Sequence, residues 1–263
     1  VFFLTLFYFV LFLFCFKVFE MKIDKIIGFA TNAEKLESRI KYAGIIKEKT
    51  ENRINKLLRK GKPEERDLNN LKKISEWAAN TVEDKDIKLS RLAAQTLLLI
   101  SKIPGKHLEN VVEGAGKGLR KRDAEILGCS TETFIQASKH EGQHFKKILK
   151  YIGEETDYQK VQQNLEFAEA IKNIVSHSKE KLKKKQLKQI SSVLNNLIEL
   201  KKSLETENML VKQKQSFIIE EIVRKIAENF KDKQEFQELL QKISKEKSDS
   251  PFREIFVNSK ELD

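Results

Sequence analysis

The sequence predicts an all-α fold: a multi-helix bundle of antiparallel helical hairpins in two subdomains, preceded by an N-terminal hydrophobic helix. Three observations carry that expectation. Leu, Ile, Lys, Glu and Gln dominate the 263 residues, and only three prolines and ten glycines interrupt them. Apolar residues recur at three- and four-residue intervals instead of alternating, a pattern that lays a stripe along one side of a helix. Beyond Gly153 no glycine occurs and Pro251 is the sole proline, so long helices with tight polar turns are expected there. These shifts divide the chain into a hydrophobic leader at 1–20, a helical domain at 21–153, a glycine-free helical bundle with partial heptads at 154–246 and a mobile tail at 247–263.

Val1 to Phe16 reads VFFLTLFYFVLFLFCF. As a helix this run spans roughly 24 Å, and continuing it through Phe19 brings it to about 28 Å, close to the hydrocarbon thickness of a bilayer. No positive charge precedes it and no small-residue cleavage site follows, so it reads as an anchor rather than a secretory signal. Lys17, Lys22 and Lys25 follow the run, which places the body of the protein on the cytoplasmic side of the membrane. The alternative is a cytoplasmic protein whose translation starts at Met21. Two cysteines, Cys15 and Cys129, give no disulfide framework.

From Thr31 the helices are punctuated. Thr31-Asn32-Ala33-Glu34 has capping-box spacing and is expected to open a helix carrying Leu36, Ile40, Ala43, Ile46, Ile54 and Leu57, stopped by Lys60-Gly61-Lys62-Pro63. The next helix carries Leu68, Leu71, Ile74, Trp77, Ala78 and Val82 and should pair with the first as a hairpin, with Trp77 in the core. A third, from about Asp86 to Ile103, is apolar nearly all round and should be the most buried. The glycine-rich, basic segment from Glu113 to Arg122 reads as a flexible loop, since it lacks the ending of a phosphate-binding P-loop. Asp123 to Leu127 gives a short helical turn before Gly128. After Gly153, Thr156-Asp157-Tyr158-Gln159 is a second capping box, opening a helix with Val161, Leu165, Ala168, Ile171 and Val175. Amphipathic helices then follow over Lys179–Glu205, around Phe217–Phe230 and around Phe236–Ile243. No convincing fixed-period repeat stands out, although stacked helical pairs remain open.

The stretch with specific chemistry is Ser130 to Ile152. Phe134, Ala137, Phe145, Ile148, Leu149 and Ile152 fall on one face of a helix over 131–152, with Ser130 or Thr131 as its N-cap and Gly153 closing it. On that helix His140 and His144 project side by side, and Glu141 points into the apolar face, where burial raises a carboxyl pKa. The pentapeptide His140-Glu141-Gly142-Gln143-His144 resembles the H-E-x-x-H motif of the zincin metallopeptidases. The resemblance covers five residues. It implies Zn2+ held by His140 and His144, with Glu141 as the general base activating the bound water. A third metal ligand would come from Glu166 or Glu169 on the following helix, because Lys147 and Lys150 stand where the extended motif has its glycine and third histidine. Outside that resemblance no cofactor is expected.

The net charge of +11 gathers in patches. Arg120, Lys121 and Arg122 form one, and Lys181, Lys183, Lys184, Lys185 and Lys188 another. Such clusters attract phosphates of anionic lipid or, less in keeping with the absence of interleaved aromatics, of nucleic acid. Taken together, the residues point to a membrane-associated α-helical interaction or scaffolding protein that binds a protein partner through its amphipathic helices. A zinc metallohydrolase is the alternative, and nonspecific binding of nucleic acid or anionic lipid a third.

Overall fold

The structure, a computed structural model, describes residues 22–155 and 161–177, together with Ile190. These residues form eight helices and no strand: α1 (Ile23–Asn32), α2 (Leu36–Lys60), α3 (Glu65–Thr81), α4 (Ile87–Ile100), α5 (Leu108–Gly118), α6 (Ala124–Ser138), α7 (His144–Glu155) and α8 (Val161–His177). The all-α expectation is met. The leader at 1–20 and the helices expected beyond 178 lie outside the described residues. Within them no helix is long and apolar enough to cross a membrane.

The helices stack in two layers. In one, α2 packs on α4, α4 on α6 and α6 on α8; in the other, α1 meets α3, α3 meets α5 and α5 meets α7. The layers are joined by neighbours in the chain, chiefly α1 with α2, α3 with α4 and α5 with α6. Every extensive contact is therefore with the next helix or the one after it. A single apolar core threads between the layers from Ile26 and Ile46 through Leu97 and Phe134 to Ile152, Phe167, Ile174 and Ile190. Each large aliphatic side chain taken fully out of water there contributes about 1.5–3 kcal/mol.

Local chemistry sets the helix ends. Gly61 ends α2 in the left-handed conformation at φ 79°, and Arg59 and Lys60 sit in the last turn, where the helix dipole favours cations. The Asp86 side chain caps α4 by accepting from the Leu89 N–H at 3.0 Å. Asp123 does the same for α6, accepting from Ile126 N–H at 3.1 Å. α4 buries Leu89, Ala93, Ala94, Leu97 and Ile100, but the most enclosed helix is not α4 as expected: the shorter α5 buries a larger share of its residues. Trp77 is core, 6% exposed.

Four expectations are corrected. Thr31 and Asn32 end α1 instead of capping α2, and the Thr31 hydroxyl donates back to the Ile27 carbonyl. The first two long helices do not lie along each other: α2 packs on α1 and α4, and it meets α3 through the Arg53–Asp67 ion pair. The glycine-rich segment is helix α5, not a loop. Its Gly114 and Gly118 are close-approach points: a Cβ on Gly114 would lie 2.8 Å from the Ala79 Cα, and one on Gly118 would overlap the Ser130 hydroxyl. Gly128, expected to precede a helix, lies inside α6 and faces open space.

Candidate functional site

The helix expected over 131–152 is in fact two helices. Between Ser138 and His144 nearly two turns pass without an aliphatic side chain, so a continuous helix would bury nothing there. The chain folds back through 139–143, and this lets Phe145, Ile148, Leu149 and Ile152 of α7 join the core while α7 packs against α5. The zincin-like pentapeptide is thus a turn with His144 as the first residue of α7, and its two histidines do not share one helical face.

His144 is buried, 2% exposed, and its Nε2 lies 2.9 Å from the Ala137 carbonyl. A carbonyl oxygen only accepts, so the ring carries its proton on Nε2 and donates it back to the end of α6. The ring also meets Phe145 edge-on, with centroids 5.0 Å apart. Burial pushes the His144 imidazole below its ordinary pKa, against the opposing effect of hydrogen bonds with the Ala137 and His140 backbone. His140 sits partly exposed on the turn, its N–H donating to the Ala137 carbonyl at 3.1 Å. Glu141, expected in the apolar face, is exposed on the turn, because the break in the helix rotates it out of the stripe.

Glu166 and Glu169 lie on α8, both part-buried, and Glu169 pairs with Lys172 at 2.8 Å. Among the described residues no three His, Cys, Asp or Glu side chains gather in a group fit to hold a metal ion.

The histidine that sequence reasoning passed over is His107. It stands immediately before α5, is 2% exposed, and donates from Nε2 to the Ile103 carbonyl at 3.0 Å. Burial pushes its pKa down to about 4, with hydrogen bonds to the Ile103 and Ile100 carbonyls opposing the fall and the nearby His140 and His144 adding to it. Its signal in the sequence was a Gly-x-His spelling shared with residues 142–144.

Of the first basic patch, two members are engaged within the fold. Arg120 pairs with Glu155 at 3.1 Å and Glu154 at 3.4 Å. Lys121 donates to the Asp84 carbonyl at 2.8 Å. Arg122 is exposed. The second patch, Lys181 to Lys188, lies outside the described residues.

A cleft of about 550 Å³ opens between α1 and α3, lined among others by Asp24, Arg39, Lys73, Trp77 and Asp84. Its charges are matched to each other, Lys73 to Asp24 at 2.8 Å and Arg39 to Asp84 at 2.6 Å. The buried indole Nε1 of Trp77 has no hydrogen-bond partner.

No protein-family model matches the chain, and no curated protein is significantly similar to it. Solved structures do share its fold. Three are crystal structures of engineered proteins, Northeast Structural Genomics Consortium targets OR329, OR497 and OR366. Target OR329 superposes with a TM-score of 0.53 at 17% identity, over 91% of this chain and 95% of its own. OR497 gives 0.53 at 16% identity, over 89% of this chain and 56% of its own. For OR366 the TM-score is 0.52 at 16% identity, over 91% of this chain and 96% of its own. At these identities the likeness is one of fold.

Proposed function

We infer that this chain is an α-helical interaction or scaffolding module that binds a protein partner across the outer faces of its stacked helices. The observation that supports this is the two-layer stack: each helix is buried on the side facing the other layer and presents its outer side to solvent, so surface accumulates with every added helix while the core stays continuous. In this role residues 1–20 tether the module to a membrane with its body in the cytoplasm. Arg122 and the Lys181–Lys188 cluster then face the anionic leaflet.

The zinc hydrolase alternative draws no support from the turn geometry. Nε2 of His144 is already spent on a carbonyl, and Glu141 faces outward.

Site-specific photo-crosslinking tests the interaction role. A photoreactive residue at Lys88 on α4 samples one layer, and one at Lys72 on α3 samples the other. A discrete, saturable protein adduct from one layer is the expected result, and adducts from neither would overturn the assignment. Stoichiometric zinc in the purified chain, lost in a His140→Ala, His144→Ala variant, would replace it with the hydrolase. Co-sedimentation of the full chain with phosphatidylserine vesicles, weakening as salt rises, is the expected signature of the membrane contact.

A further inference from the structure

The turn before α5 and the turn before α7 are built alike. Residues 103–107 read Ile-Pro-Gly-Lys-His and residues 140–144 read His-Glu-Gly-Gln-His. In each, the final histidine is 2% exposed and lies at the start of the helix that follows. In each, Nε2 of the ring meets a carbonyl left behind by the preceding helix: Ile103, four residues back, at 3.0 Å for His107, and Ala137, seven residues back, at 2.9 Å for His144. Each glycine lies against the imidazole two residues on. A Cβ on Gly105 would come within 2.8 Å of His107 Nδ1, and one on Gly142 within 2.7 Å of His144 Nδ1.

One fixed offset along the chain pairs more than the turns. It matches the capping aspartates Asp86 and Asp123, each accepting from the N–H three residues on. It also matches buried Leu97 with Phe134, Leu108 with Phe145, Val111 with Ile148 and Val112 with Leu149. The first residues of α4 and α6, Ile87 and Ala124, stand at the same spacing. It falls within the period of about 20–50 residues that marks stacked helical repeats.

We propose that the segments beginning at Asp86 and Asp123 are two copies of one helix-turn-helix unit, and that His107 and His144 are the same imidazole latch closing its turn. In each copy the imidazole at the start of the second helix bonds a carbonyl where the first helix runs out, Ile103 just past α4 and Ala137 in the last turn of α6. The glycine keeps the space over the ring clear. The third and fifth letters of the pentapeptide are then the ones the two copies share. The first two, which make His140-Glu141 look like part of a protease, stand where the first copy has Ile103-Pro104.

Two measurements on the full chain test this. In the first, 15N NMR of the histidine side chains reads tautomer and titration directly in the wild-type protein. Both His107 and His144 are expected as Nε2–H forms, His107 taking up a proton only near pH 4 and His144 later on acidification than an exposed imidazole. A ring protonated on Nδ1, or one titrating near neutrality, would overturn the latch. The second is a turn transplant. His140→Ile, Glu141→Pro, Gln143→Lys copies the first turn onto the second and is expected to hold the melting temperature close to wild type. By contrast Gly142→Ala, Gly105→Ala, His144→Gln and His107→Gln should each lower it, on the order of 5 °C. A transplant that unfolds the protein while His144→Gln leaves it unchanged would overturn the equivalence of the two units.

Discussion

The ring of Tyr151 on α7 occupies the space that a side chain on Gly116 of α5 would need: a Cβ there would lie 2.5 Å from three of its carbons. The ring stacks against Phe134, with centroids 6.2 Å apart, so Tyr151 has core behind it and little room to retreat. Gly116→Ala is therefore expected to destabilise the protein by about 1–3 kcal/mol, the usual cost of overpacking a filled interior. Urea unfolding followed by circular dichroism measures it.

Gly128 makes the opposite case. It lies inside α6, exposed, with no atom within 4 Å of a would-be Cβ. Gly128→Ala should stabilise the fold by about 0.5–1 kcal/mol, since alanine loses less backbone freedom on entering a helix. The same unfolding experiment shows it as a higher midpoint.

Acid should weaken the fold through His107. Its folded pKa of about 4 lies below the ordinary 6.5, so the unfolded chain takes up a proton that the folded protein resists. The stability this residue contributes is complete above pH 6.5 and is lost as pH falls through about 4. At full extent the loss is about 3 kcal/mol. His144, shifted in the same direction, adds to it. Unfolding free energies at pH 7 and pH 4.5 should differ less in a His107→Gln variant than in wild type.

Asp123 both caps α6 and pairs with Arg91 of α4 at 2.7 Å. The Arg91 hydrogen bond holds its carboxyl below the usual range, and the Ile126 N–H adds to this. Asp123→Ala removes both contacts and should cost about 1 kcal/mol, most of it from the lost cap. Asp123→Asn keeps an N-cap acceptor and should recover most of the loss in thermal melts. Arg91→Ala leaves the cap intact and should cost less than Asp123→Ala, because the arginine side chain is 43% exposed.

Much of the fold is legible in the sequence, and the places where it is not share a cause. Stripe spacing finds α2 through α4, most of their buried faces though not the exposure of Leu36, the Gly61 stop and the core role of Trp77. It misses the break at 139–143 because Phe134 and Ala137 happen to stay in helical phase with Phe145 and Ile148 across the turn. The overlooked sign is the gap from Ser138 to His144, where the stripe has no member. Glycine at Gly114, Gly116 and Gly118 reads as loop because it weakens an isolated helix by about 1 kcal/mol per residue. In the fold those positions admit Ala79, Tyr151 and Ser130, and packing outweighs propensity. At His140, Glu141 and His144, residue order carries no information about ring contacts, so the hydrogen bond from His144 Nε2 to the Ala137 carbonyl is not legible there. The duplicated unit escapes notice because its copies share character at the core positions and identity at few besides Asp, Gly and His.

Since each described helix leans only on its first and second successors, the polymer behaves like a short row of dominoes and not like a knot. Among the described residues, disturbance at one end of the row has no shortcut to the other. Amide protons in α4 and α6, supported from both directions, should therefore exchange with solvent more slowly than those of α1, which among the described residues has neighbours on one side alone.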